Sequence, residues 1–230
     1  MKQTTRLTAV ALLTAGSALC APAQAGLVDI RMDLSTVVGA TAGNWNNIAN
    51  ITGLTTGLID FNSGAATSVS IDGTGSPWTN FFGDDGGAFP DQGWLIQPAT
   101  VDGAGLLTDL TGTFTIGGLS DGAYQLELVS ARSTFGYLNT FTVNGALANR
   151  TFLDTPVVTP WDSTTDGLEA GNWLIWDNVV ASDGQITITD IAGPGTLGIL
   201  NAIRISQIPA PGGLAVLGLT GLMGARRRRR

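Results

Sequence analysis

Short apolar stretches alternate with clusters of Gly, Thr, Ser, Asn and Asp between residues 26 and 208, and no stretch keeps a helical period. Clusters of turn-forming residues at intervals of about 8–12 residues are typical of proteins built from short strands. Most stretches also alternate apolar with polar residues, as expected of strands that bury one face. The predicted strands are residues 27–33, 57–61, 67–72, 112–116, 124–130, 139–143, 173–180, 185–189 and 199–205.

These strands predict an all-β domain, a two-sheet antiparallel sandwich of the jelly-roll type. We expect a signal helix before it and a short hydrophobic helix after it. Residues 112–116 and 124–130 predict a hairpin that turns through glycines. In that hairpin the alternation turns Leu126 and Leu128 towards the core and Glu127 towards solvent.

Four short motifs follow one another along this domain: Asn44–Ile48, Gly118–Tyr124, Phe141–Gly145 and Leu200–Ile205. Their order resembles the galactose-binding-like jelly-roll modules of bacterial extracellular proteins. The resemblance spans nearly the whole domain and implies the fold. Because the motifs mostly describe turns, it implies no particular ligand.

The first 25 residues have the form of a secretory signal peptide. Lys2 and Arg6 precede an apolar stretch over residues 7–19, and Ala23 and Ala25 form an A-x-A cleavage site. Cleavage there would leave a mature chain that begins at residue 26. It would also remove the only cysteine, so we expect neither disulfides nor thiol chemistry.

Residues 209–230 combine a proline-rich break, an uncharged apolar run and five arginines. The run is shorter than the roughly 20 residues of a spanning helix, and the arginines would stay on the cytoplasmic side. This tail resembles the PEP-CTERM sorting signal, with Ala210 where the usual motif has Glu. The resemblance implies a transient membrane anchor and an exosortase-type transpeptidase as partner; an uncleaved anchor is the alternative. The motif residues are Pro209, Ala210, Pro211, Gly212, Arg226, Arg227, Arg228, Arg229 and Arg230.

Between these ends lies one domain, residues 26–208, with a marked acidic excess. Its four arginines face sixteen aspartates and two glutamates, and it has no lysine. A charge balance of this sign repels nucleic acid and anionic lipid surfaces, so we expect neither as a partner. Arg204 ends a predicted strand, and we expect it to pair with an aspartate rather than to bind a sugar.

The missing residue types restrict the possible chemistry. Without histidine the chain cannot carry the usual Ser-His-Asp or Cys-His systems or a histidine zinc site. A carboxylate pair for glycoside hydrolysis is formally possible, but Glu127 lies in a regular strand and Glu169 in a glycine-rich loop. We therefore expect a protein that is not an enzyme, with a polysaccharide hydrolase as the least favoured reading.

One acidic loop is a candidate calcium site. Asp84, Asp85 and Asp91 lie among glycines whose carbonyl oxygens are available as further ligands. The spacing is not that of an EF-hand, and such loops are more often solvated turns. Calcium is thus the only cofactor that the sequence suggests.

Tryptophans in polar loops are the candidate ligand contacts. Trp45 beside Asn44, Trp78 and Trp161 lie in loops rich in Asn, Asp or Pro, the setting in which an indole stacks on a sugar. The alternative is that these rings close the ends of the sandwich. We expect a surface or extracellular-matrix protein that binds carbohydrate, or else a structural or adhesive envelope protein without a sugar ligand.

Overall fold

The computed structural model describes residues 27–34, 41–82, 94, 102–130, 138–144, 146–153, 163–165 and 173–209, and every regular element in them is a strand. The strands are β1 (Asp29–Asp33), β2 (Asn46–Asn47), β3 (Leu54–Thr55), β4 (Ser70–Asp72), β5 (Thr79–Phe82), β6 (Asp102–Leu106), β7 (Thr111–Gly117), β8 (Ala123–Val129), β9 (Leu138–Val143), β10 (Ala146–Leu153), β11 (Ser163–Thr165), β12 (Trp173–Val180), β13 (Ile186–Ala192), β14 (Gly198–Leu200) and β15 (Ala202–Gln207).

Two six-stranded sheets make up the sandwich. The first, called the front sheet, has the order β11-β12-β8-β15-β1-β2, and the second, the back sheet, has the order β10-β9-β13-β7-β4-β3. A third sheet of three strands, β14-β6-β5, accompanies them. Every pairing of these strands is antiparallel except β1 with β2 and β11 with β12. The predicted all-β, antiparallel sandwich is confirmed.

The core lies between the two large sheets and follows the alternation of the strands. Leu126 and Leu128 of β8 face it from the front sheet, and Phe114 and Ile116 of β7 face it from the back sheet. Each such side chain contributes about 1.5–3 kcal/mol when it is fully removed from water. Other core residues are Ile30, Met32, Leu34, Phe141, Val143, Leu174, Ile186, Ile188, Ile203 and Ile205.

The predicted hairpin between residues 112–116 and 124–130 is wrong as a pairing. Both strands exist, but β7 pairs with β4 and β13, whereas β8 pairs with β12 and β15. Gly118 lies in the turn where the chain crosses; its φ is 70° and a Cβ there would lie 2.0 Å from the carbonyl oxygen of Ser68. The turn therefore packs against the back sheet and carries the chain across to the front sheet.

A small polar cluster interrupts the apolar core beside β14. The Asn139 amide nitrogen donates to the carbonyl of Ile199 at 2.7 Å, and lies 3.3 Å from Asp190 Oδ2 and 3.4 Å from Ser130 Oγ. Asp190 and Asn139 are both fully buried, and the Oδ1 atom of each has no hydrogen-bond partner. Burial raises the pKa of Asp190 well above that of an ordinary carboxyl, despite an opposing hydrogen bond from the Ile191 backbone.

No charged residue occurs in the three strands packed around this carboxyl. The sequences of β7, β9 and β14 are all uncharged. Nothing on those strands therefore compensates a negative charge on Asp190, and the protonated acid is the form that the folded state favours. A proton on Asp190 would also supply a donor that the two buried Oδ1 atoms otherwise lack.

We expect stability to decrease as pH rises through the raised pKa of Asp190. The contribution of the neutral acid is fully present below the pKa of an unfolded carboxyl and is lost above the folded-state value. The free energy of unfolding should fall by at most about 1.4 kcal/mol per pH unit within that window. Asp190→Asn should remove this slope in urea titrations at several pH values, whereas Asp109→Asn, at an exposed turn residue, should keep it. Parallel profiles for all three proteins would contradict the assignment.

Candidate ligand-binding site

A row of four residues crosses the face of the front sheet that points away from the core. Arg31 of β1 is aligned with Arg204 of β15, which is aligned with Glu127 of β8 and then with Ile175 of β12. Their sequence neighbours lie in the core, so alternation places this row on the opposite face. Such a face would ordinarily be solvated.

Instead, Glu127 is buried and accepts hydrogen bonds from three donors. Its Oε2 accepts from the indole N–H of Trp94 at 2.7 Å and from that of Trp173 at 2.8 Å. Its Oε1 accepts from Arg204 Nη1 at 2.8 Å. The side chain is only 3% exposed. The prediction that Glu127 faces solvent is wrong: alternation identified the correct face of the sheet, but the indoles cover it.

Asp29 extends the charge network along the start of β1. It accepts from Arg204 Nε at 2.8 Å and Nη2 at 3.2 Å, and from Arg31 Nη2 at 3.1 Å. The expected pairing of Arg204 with an aspartate is confirmed. Burial lowers the pKa of Arg204, but the hydrogen bonds and charges of Asp29 and Glu127 outweigh it and raise the pKa above its ordinary value. Arg204 therefore stays charged at any pH at which the protein folds.

Aromatic rings form a layer over these charges. Trp94 stacks on Trp45 with ring centroids 5.7 Å apart, and meets the edge of Trp173 at 6.5 Å. The Arg31 guanidinium lies 3.3 Å from the centre of the Phe61 ring, a cation–π contact. We call these eight residues the aromatic–charge cluster: Asp29, Arg31, Trp45, Phe61, Trp94, Glu127, Trp173 and Arg204.

The cluster is closed on one side and open on the other. Trp45 and Trp94 are 5% and 6% exposed, so their faces are covered. Trp173 is half-buried, and the Arg204 side chain keeps 22% of its surface in solvent. A guanidinium has five N–H groups, and Asp29 and Glu127 engage three of them. The partly exposed members of the cluster are thus an indole ring and a charged donor, both bound to Glu127.

The structure brings two of the predicted binding residues to this cluster. Trp45 belongs to it, and Asn44 donates its amide N–H to the carbonyl of Phe61 at 2.9 Å. Trp78 lies elsewhere, 4% exposed in the sandwich core, with its ring 4.5 Å from Phe114 and its N–H bonded to the carbonyl of Thr113. This corrects the binding role predicted for Trp78, because its faces are packed inside the protein.

Gly112 makes the position of Trp78 possible. A Cβ at Gly112 would lie 2.7 Å from the Trp78 ring, so only glycine leaves room for the indole over β7.

Other predicted site residues lie outside the described residues: Trp161, Asp84, Asp85, Asp91, Ala23, Ala25, Ala210, Pro211, Gly212 and Arg226–Arg230. Pro209 is the exception, as an exposed residue that follows the last strand. Within the described residues there is no group of three or more acidic side chains that could hold a metal ion. In the same part of the chain, no helix is long and apolar enough to cross a membrane.

Sequence reasoning missed the partial exposure of Trp173 and the central position of Glu127. The available signal was the placement of Arg31, Glu127 and Arg204 inside alternating strands of a domain that has few basic residues. Charged residues at such positions require partners, but the partners come from distant parts of the chain.

Comparison with known proteins finds only weak structural similarity. The sequence matches no protein-family model and no curated protein. The crystal structure of an exo-β-1,3-galactanase from Phanerochaete chrysosporium with galactose aligns with 64% of this chain and 32% of its own, at 20% identity and a TM-score of 0.32. TmCBM61, in complex with β-1,4-galactotriose, aligns with 61% of this chain and 88% of its own, at 16% identity and a TM-score of 0.30. The chain thus spans about a third of the galactanase. Structural similarity with TM-scores this low does not support an argument about a ligand.

We expect Glu127→Gln to destabilise the protein by about 3 kcal/mol, the range found when one partner of a buried pair is removed. The amide keeps the shape of the side chain but places an N–H₂ group against donors of Arg204 or of the two indoles. Urea unfolding followed by tryptophan fluorescence would measure the loss. Asp121→Asn, which removes an exposed carboxylate, is the matched control and should change stability little. A loss below about 1 kcal/mol for Glu127→Gln would show that the pairing is worth no more than a surface contact.

Proposed function

We propose that this domain is a non-catalytic carbohydrate-binding module, and that the sugar binds at the open edge of the aromatic–charge cluster. The observation that carries the proposal is that the half-buried ring of Trp173 and the partly exposed guanidinium of Arg204 both bind the carboxylate of Glu127. An indole offers a flat apolar surface to the C–H face of a sugar. A guanidinium with unused N–H groups offers hydrogen bonds to the sugar hydroxyls.

The surrounding contacts support this use because they hold both groups in place. Trp173 is fixed by its N–H bond to Glu127, and Arg204 by bonds to Asp29 and Glu127. A site whose side chains are already ordered loses less conformational entropy when a ligand binds. The acidic excess of the domain favours a neutral polysaccharide over an anionic one.

Glu127 is better suited to positioning than to proton transfer. Three donors already occupy its two oxygens, which leaves about one of four acceptor directions. A general acid or base needs a proton-exchanging position open to the substrate. We therefore assign the cluster a binding role rather than a hydrolytic one.

A structural or adhesive role without a sugar ligand is the second candidate. It is favoured by the burial of Trp45 and Trp94, whose rings pack on each other and not on an open surface. In that case the cluster would serve only to fix the chain around Trp94 onto the front sheet.

We expect Trp173→Ala to weaken glycan binding by at least about 1 kcal/mol, or roughly fivefold in Kd. The reason is the loss of the stacking surface. A glycan array with the purified protein would identify a ligand, and calorimetry would compare the variants. Val180→Ala, at an exposed position on the other end of the same strand, is the control and should bind as the parent does. If both variants bound the glycan with equal affinity, the ligand would not bind at this edge. If the parent protein bound no glycan, the structural role would be the remaining candidate.

We also propose that the protein is exported, held briefly at the inner membrane, and delivered by an exosortase-type transpeptidase to the cell surface or extracellular matrix. The support is the signal-peptide pattern of residues 1–25 and the sorting-tail pattern of residues 209–230. A C-terminal tail of this type would place the sandwich outside the cell, where extracellular polysaccharide is its available ligand.

Processing at both ends can be tested by intact-mass measurement of protein from the envelope of a host with a matching transpeptidase. The mature protein should begin at Gly26 and lack Arg226–Arg230. Replacement of the five arginines by serine should release or mislocalise the protein, because nothing then holds the tail on the cytoplasmic side. Mature surface protein that keeps the arginines would show a permanent anchor instead.

A further inference from the structure

Four apolar residues form a row across the outer face of the front sheet, at the end where the C-terminal tail leaves the domain. Ala123 of β8 is aligned with Val180 of β12, and the carbonyl of Ala123 accepts the backbone N–H of Ile208 at 2.8 Å. The register of β1 with β15, continued past the strand ends, places Leu27 beside Ile208. We call Leu27, Ile208, Ala123 and Val180 the apolar row.

The row faces away from the core and is open to solvent. Tyr124, which follows Ala123, and Val28, which follows Leu27, both pack on the core, so alternation turns the row outward. Leu27 and Val180 are 47% and 63% exposed, and the other two members are half-buried. Single exposed apolar residues are ordinary, but here four of them are neighbours on adjacent strands.

Acidic side chains border this apolar row. Every charged residue within three positions of a row member along the chain is an aspartate: Asp29, Asp121, Asp177 and Asp183. Asp29 belongs to the aromatic–charge cluster, and Asp177 accepts a hydrogen bond from Gln125. Asp121 and Asp183 are exposed outside the strands. The row is therefore an apolar surface with negative charge at its margin.

The C-terminal tail is complementary to this surface and starts from the row itself. Pro209, the residue after Ile208, is exposed and is the last residue that the structure describes. Residues 214–223 are uncharged and rich in leucine, and Arg226–Arg230 follow them. An apolar run followed by positive charge thus continues directly from an apolar row that negative charge surrounds.

The connecting chain is long enough for the run to turn back onto the row. From Pro209 to Leu214 there are five residue steps, which span at most about 17 Å when extended. The row crosses four strands, a width of about 14 Å. A tether this short gives an effective concentration of the order of 1 mM, so even a contact with a Kd of about 1 mM would be half populated.

We propose that residues 214–223 dock on the apolar row while the tail is in water, with Arg226–Arg230 close to Asp121 and Asp183. The contact covers the row and a run that would otherwise associate with other chains. A bilayer provides the run with a more extensive apolar environment, so membrane insertion competes with docking and uncovers the row. The domain thus shields its own anchor until the anchor reaches a membrane. This inference needs neither a sugar ligand nor cleavage by a transpeptidase.

Disulfide trapping in the full chain tests the contact. Cys20→Ser in every variant leaves the two introduced thiols as the only ones. Val180→Cys with Leu217→Cys should form an intramolecular disulfide under mild oxidation in detergent-free buffer, measured by intact mass as the loss of two hydrogens. Leu54→Cys with Leu217→Cys is the matched control, because Leu54 is 57% exposed on β3 of the back sheet. The Val180 pair should react about tenfold faster, since docking raises the concentration of one thiol around the other.

Two further variants of the Val180 pair separate docking from simple proximity, because neither changes the length of the tether. Leu219→Asp with Leu222→Asp places charge in the apolar run and should slow the reaction to the rate of the control pair. Replacement of Arg226–Arg230 by serine should slow it less, and only at low salt, where exposed charges are poorly screened. Phosphatidylcholine vesicles should stop the reaction of the parent pair by taking up the run.

Three results would overturn the proposal. The first is an equal rate for the Val180 and Leu54 pairs. The second is a fast Val180 pair that the two aspartates leave unchanged, because proximity would then explain the rate. The third is a disulfide-linked dimer whose yield rises with protein concentration, which would assign the row to a second copy of the chain. None of these results depends on glycan binding, so the outcome is independent of the carbohydrate proposal.

Discussion

The carboxylate of Glu127 is the point on which the arrangement of the front sheet depends. A carboxylate taken out of water costs several kcal/mol unless charge-assisted hydrogen bonds replace its hydration. Here the replacements come from three separate parts of the chain, the indoles of Trp94 and Trp173 and the guanidinium of Arg204. Satisfying this one side chain therefore fixes the positions of Trp94 and of two strands, β12 and β15, at the same time.

The same network reaches the beginning of the domain through Asp29. While its carboxylate binds Arg204, its backbone N–H donates to Asp60 Oδ2 at 2.8 Å. Burial opposes ionisation of Asp60, but the hydrogen bonds from Asp29 and Ser63 prevail and lower its pKa. The first strand and the loop around residue 60 are thus tied to the front sheet by charged groups as well as by the apolar core.

The two outer faces of the sandwich differ in the side chains that they carry. The front face combines charge with tryptophan, and its residues Trp173, Ile175 and Arg204 keep part of their surface exposed. On the outer face of the back sheet, Thr113 and Thr115 of β7 alternate with core residues in the same way, and Asp72 of β4 is aligned with Thr115. Both faces follow the same alternation, and they differ in that indoles and ion pairs cover much of the front face.

Several elements were determined by the sequence itself. The strand at residues 29–33 and the all-β class follow from alternation. The turn at Asn144, with φ of 52°, follows from the preference of asparagine for such backbone angles. Each of these features depends on neighbours in the chain, so local patterns are sufficient to predict it.

Tertiary structure decided the rest, for the reason that the partners are far apart in the chain. Alternation placed Glu127 on the outer face, but only folding brought Trp94, 33 residues earlier, over it. In the same way, a glycine-rich turn between β7 and β8 is compatible with a hairpin or a crossing between sheets, and the crossing depends on distant partners, β4 and β13 for β7 and β12 and β15 for β8. The two-residue alternation of a strand predicts which face of the sheet a side chain occupies. The surroundings of that side chain depend on which distant segment covers the face.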